Sequence, residues 1–170
     1  MARKFAWAAI AALAVVPSLA LSPTSSARPA DPAFRPCDWV TVAEASDILG
    51  KRVLPTPSEN QAGSNDPQCF YAEPEDEGIG VGISFELLLP GASPVDASTR
   101  LANAAAAPGA ETVSGLGLNA VCVYEPNVTP PSTTIVVLLD GGRVFRSTAA
   151  YEYCDTVERF ARTAITRIPA

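Results

Sequence analysis

Residues 133–148 read TTIVVLLDGGRVFRST, two β-branched runs on either side of Asp140-Gly141-Gly142. A short Asp-Gly turn between such runs is a strong signal for an antiparallel hairpin. Upstream, residues 79–89 (IGVGISFELLL) alternate: Val81, Ile83, Phe85, Leu87 and Leu89 share one side, with Gly80, Gly82, Ser84 and Glu86 on the other. That two-residue period predicts an antiparallel strand with one face on the core. Cys69-Phe70-Tyr71 and residues 121–125 (VCVYE) read as two more strands, and Val53-Leu54 allows another short one. A glycine-bearing segment, VSGLGLNA at 113–120, precedes the VCVYE strand.

Three stretches have helical spacing. In residues 41–50 (TVAEASDILG), Thr41 and Glu44 form a capping box, and Gly50 stands where a left-handed C-terminal cap belongs. Val42, Ala45, Ile48 and Leu49 make its apolar face. Residues 94–107 (PVDASTRLANAAAA) are Ala-rich, with a small apolar side suited to close packing on a sheet, and Pro108-Gly109 stops them. At the C-terminus, Val157, Phe160, Ala161, Ala164, Ile165 and Ile168 form a stripe, with Asp155 placed as a cap and Arg167 near the C-terminal dipole. The order α-β-β-α-β-β-β-α lacks a regular strand–helix–parallel-strand rhythm. It predicts an α+β fold: an antiparallel sheet with helices packed on one face and two disulfides.

The first residues carry Arg3 and Lys4, an apolar run over 5–20, then Ser25-Ser26-Ala27. This is the pattern of an export signal, 1–27, with cleavage after Ala27 or, alternatively, after Ala20. The run contains Pro17 and falls short of the roughly 20 apolar residues that span a bilayer. Cleavage after Ala27 leaves 143 residues (170 − 27), with an extended, proline-rich lead-in over 28–36 and one domain over 37–170. Ten basic and 18 acidic residues remain (12 − 2 = 10), a formal charge of −8. Such an acidic protein is a poor partner for nucleic acid or anionic membrane. No second apolar stretch is long enough to span a membrane. The expectation is a monomer in the space outside the cytoplasmic membrane.

Cys37, Cys69, Cys122 and Cys154 all lie after the signal, and an even number in an exported chain points to disulfides. Three pairings are possible. Equal spans (69 − 37 = 32 and 154 − 122 = 32) favour Cys37–Cys69 with Cys122–Cys154. The chain has no histidine and no CxxC, which speaks against zinc and against a cysteine nucleophile with an imidazole base. Phe34-Arg35-Pro36 before Cys37 is no lipid-attachment signal.

Other motifs reduce to architecture. Glu73, Glu75, Glu77 and Gly78 fit the start of a calcium-loop frame, but its twelfth position is Ser84, so a solvated turn is expected. Gly115-Leu116-Gly117-Leu118-Asn119-Ala120 resembles a lone dinucleotide fingerprint, yet a strand rather than a helix comes after it. No GxSxG is present and no histidine can serve a triad, which leaves a carboxylate pair as the open enzymatic class. Trp39, Tyr151 and Tyr153 could line a groove, although closing the core over a disulfide is the commoner use of such rings.

Several features together resemble a family of small actinobacterial cell-envelope proteins, many of them lipoproteins, whose domains have no assigned function. They are Pro36-Cys37 before the T-x-A-E-x-x-x-I-L-G helix, Cys69 with an aromatic in the next strand, and Val113-Ser114-Gly115-Leu116-Gly117 before a strand. The Asp-Gly-Gly strand pair and a C-terminal helix ending Arg-Ile-Pro complete the pattern, over about 36–169. The chain is similar, more distantly, to the two-disulfide sensor domain outside the membrane in a mycobacterial Ser/Thr kinase. It lacks the lipobox cysteine of the lipoprotein members, and the resemblance brings no catalytic residue. Export, the missing catalytic constellations and the resemblance together lead to the expectation of a cofactor-free, non-catalytic module that binds a small molecule, glycan or envelope protein. The alternative is a secreted inhibitor or effector presenting a stapled loop at 55–68 or 126–132, ahead of a carboxylate-based hydrolase.

Overall fold

The computed structural model describes residues 35–60, 66–74 and 81–169. The export signal, most of the lead-in (28–34), part of the 55–68 loop and residues 75–80 lie outside them. Seven strands form one antiparallel sheet: β1 (Ser58–Glu59), β2 (Gln68–Ala72), β3 (Gly82–Leu88), β4 (Ala110–Val113), β5 (Asn119–Glu125), β6 (Ser132–Leu138) and β7 (Val144–Ala150). Three helices among the described residues accompany it: α1 (Val42–Leu49), α2 (Ala97–Ala105) and α3 (Cys154–Ile165). The spatial order is β1-β2-β3-β7-β6-β5-β4. After β3 the chain leaves the sheet through α2 and returns at the far edge as β4. The meander β4 to β7 then comes back to lie against β3, pairing Phe85 with Ser147 and Glu86 with Arg146.

Strand parity builds two cores. Tyr71, Ile83, Phe85, Leu87, Cys122, Ile135, Val137 and Phe145 point to one face, where Ala45 and Leu49 of α1 and Val157, Phe160, Ala161 and Ala164 of α3 cover them. Val121, Val123, Val136 and Val144 point to the other, beneath Leu101 of α2. The α+β class with two disulfides stands, but α2 departs from the expected single helical face. The reason is in the opening stretch: TTIVVLL is apolar without a break after its threonines, and a strand apolar on both sides needs cover on both.

Local chemistry sets the helix ends. Thr41 Oγ1 accepts from the Glu44 N–H while the Glu44 carboxylate accepts from the Thr41 N–H, and Gly50 turns left-handed at φ 66°. Arg167 departs from its expected role. Its guanidinium bonds Glu44 at 2.6 Å and 2.7 Å and donates to the Trp39 carbonyl at 3.0 Å, tying α3 to α1. Asp155 is not a cap either; it lies in the first turn of α3, whose cap position is Tyr153. Pro36, the last residue of the expected extended lead-in, instead opens a 3₁₀ turn, Pro36–Asp38. Val53 and Leu54 form no strand, although the Leu54 N–H reaches the Ala72 carbonyl at 2.8 Å.

Candidate functional site

Both disulfides have the pairing that equal spans favour. Cys37–Cys69 joins the 3₁₀ turn to β2, with Cα atoms 5.2 Å apart. Cys122–Cys154 joins β5 to the first residue of α3, with Cα atoms 6.0 Å apart. All four cysteines are therefore staples. Among the described residues no helix is long and apolar enough to cross a membrane, and no group of acidic or cysteine side chains is arranged to hold a metal. Residues 75–80 of the calcium-loop frame lie outside the described residues. Glu73, expected in a solvated turn, is instead buried, 3.4 Å from Lys51 Nζ. Lys51 also pairs with Glu152 at 3.0 Å. Burial works against its ammonium, but the two carboxylates outweigh that and raise its pKa.

Because α2 packs on β4, β5 and β6, it leaves its face of the sheet partly open. Two depressions on that face are formed by described residues. The larger is a groove of about 530 Å³ between the first turn of α2 and the ends of β3, β6 and β7. Leu88, Leu138, Leu139 and Val144 contribute apolar surface, and Val95 and Leu118 stand at it 39% and 64% exposed. Leu118 owes its place to Gly117, at φ 58°, where any Cβ would overlap the Leu138 carbonyl and the Val137 side chain. The Leu118 N–H then bonds that carbonyl at 2.8 Å. The lone fingerprint GLGLNA is thus a close backbone approach leading into β5.

Polar groups mark one end of the groove. Arg100 Nε donates to the Val95 carbonyl at 3.3 Å, and its Nη2 donates to Ser93 Oγ. Asp96 caps α2; the Ser98 hydroxyl and the backbone and hydroxyl of Thr99 hold its carboxyl well below the usual range. The smaller depression, about 270 Å³, lies over β2, β3 and β7 and is lined by Phe70, Ser84, Glu86, Arg146 and Thr148. Burial pushes the Glu86 carboxyl up, against the pull of Arg146, whose Nε is 2.8 Å away.

The singled-out aromatics part company. Trp39 is buried and stacks on Phe85 with centroids 5.4 Å apart, closing the core. Tyr151 and Tyr153 lie on the surface instead. The groove residues escape a reading of the sequence because they come from several separate segments. Only Leu118, an apolar residue in a glycine-rich bend, gives a local sign. No family model matches this chain, nor does any curated protein or solved structure.

Proposed function

We propose that this chain is an exported, non-catalytic binding module, and that the groove beside α2 takes a small amphipathic molecule. The observation that carries this reading is the groove itself: an apolar trough whose polar lining includes the Arg100 guanidinium, beside the carboxylate of Asp96, which is already held by Ser98 and Thr99. Leu88, Leu138 and Val144 would receive an apolar body, and Arg100 a polar or anionic end, the usual division of labour in small-molecule sites. A chain without histidine, whose four cysteines are all in disulfides, supports binding over nucleophilic catalysis. Two disulfides fit an oxidising compartment outside the cytoplasm, in keeping with the export pattern and the resemblance to envelope proteins.

Anilinonaphthalene sulfonate, an apolar ring system with one anionic group, is a direct probe. It should bind saturably with enhanced fluorescence. Leu118→Glu, at an exposed position, should weaken binding roughly tenfold by placing charge against the apolar body. Arg100→Gln should weaken it severalfold by removing the cation. Equal affinity in both variants and the parent protein would sink the assignment.

A further inference from the structure

Tyr151 is the one non-glycine among the described residues with a positive φ, at 60°. A bulky side chain in the left-handed region stores backbone strain, which persists only where the surroundings impose it. The surroundings here are a clamp. The Tyr151 N–H donates to the Pro131 carbonyl at 2.8 Å, and the next carbonyl, of Glu152, accepts from Thr133 Oγ1. The Glu152 carboxylate is held by Lys51, and Cys154 is bonded to Cys122. Yet the clamped tyrosine buries little: Tyr151 is 58% exposed and Tyr153 is 64% exposed. Tyr124, at the end of β5, packs against Tyr153 with centroids 5.2 Å apart and planes inclined by 47°. Strain without burial does little for a fold, but it serves to present a ring.

We propose that the Tyr124–Tyr153 ring pair, together with the exposed ring of Tyr151 held nearby by its clamped backbone, forms a stacking surface for a neutral glycan. The apolar C–H face of a pyranose ring lies against an aromatic face, while phenol hydroxyls meet the sugar's hydroxyl rim. Two or three fixed rings suffice for this, whereas a stable protein interface needs about 1,000 Å². Tyrosine supplies such contact with little conformational freedom to lose, and the clamp removes more of it. The neighbouring charges select against polyanions: Glu125 and Asp155 are exposed, and Lys51 is shared between Glu73 and Glu152. The platform sits at the end of the sheet opposite the groove, where β5 and β7 finish, and stands whether or not the groove is occupied.

Native electrophoresis of the full mature protein through gels containing laminarin, mannan, galactan or alginate tests the platform. At least one neutral polysaccharide should retard the protein, and alginate should not. Tyr151→Ala with Tyr153→Ala should weaken retention roughly tenfold, the effect of losing stacking contacts. The paired Phe substitutions should keep most of it. Tyr151→Gly should weaken retention, by less than the double Ala variant, without lowering the melting temperature, because glycine accepts φ 60° freely. Leu118→Glu should leave retention unchanged, so the groove and the platform can fail separately. Indifference to all the neutral polysaccharides, preference for alginate, or undiminished retention of the double Ala variant would each overturn the proposal.

Discussion

Phe85 is the hub of the aromatic core. Its ring lies 5.4 Å from Trp39, 5.4 Å from Phe145 and 5.9 Å from Phe160, so it joins the entry turn, the central strands and α3. Phe85→Ala should lower unfolding free energy by about 3–5 kcal/mol in urea titration, since a cavity at that junction cannot collapse without moving three elements. Glu44 gives a pH-dependent counterpart. The Arg167 guanidinium, followed by the Thr41 bonds, holds its carboxyl down to about 2 from an ordinary 4.5. A lowered carboxyl contributes stability that is complete above the unfolded pKa and lost as pH falls through the folded one. Glu44→Gln should therefore be less stable than the parent at pH 7, and the gap should close between about pH 4.5 and pH 2 in thermal melts. A gap that persists unchanged at pH 2 would show that the loss comes from something other than this charge.

At the scale of elements, each disulfide ties a helix or turn to the sheet. Cys122–Cys154 holds the N-terminus of α3 against β5 and closes a loop with a sequence separation of 32. Replacing both cysteines with Ser should cost roughly 3–4 kcal/mol by loop-closure entropy, measured by denaturant titration of the otherwise oxidised protein. A cost near zero would mean that the apolar stripe of α3 alone keeps it docked. Helix α1 is legible residue by residue, because its caps are local hydrogen bonds between neighbours in sequence. The two edge strands are not. β1 is a two-residue Ser-Glu piece and β4 is Ala-Glu-Thr-Val, mostly exposed. Such strands are defined by the carbonyls and N–H groups of β2 and β5 beside them, and short polar edges are also what a sheet uses to avoid pairing with another chain. The cap of α3 eludes local reading as well: the helix begins at the disulfide-bonded Cys154, one residue ahead of Asp155, with no side chain capping it.

At the scale of the whole molecule, the strand order sets the groove and the tyrosine cluster at opposite ends of one sheet. Sending α2 across the uncovered face leaves a trough beside its first turn, because a short Ala-rich helix packs mainly on β4 to β6 and leaves much of β3 and β7 open. Returning β7 against β3 puts Tyr151 and Tyr153 just past the other end of the sheet, on the way into α3. The cluster of Lys51, Glu73 and Glu152 braces that end from within.

By itself the sequence determined the antiparallel hairpin, the caps of α1, the core faces of β3 and α3, and the staple role of four cysteines in a chain without histidine. These are matters of period, of near-neighbour hydrogen bonding and of chemical inventory, all of which act along the chain. Only the tertiary structure decided which face α2 covers, which strands stand at the edges, where Glu73 is buried and why Tyr151 is exposed. Each of those depends on atoms brought together from distant segments, through burial and pairing that no local stretch encodes.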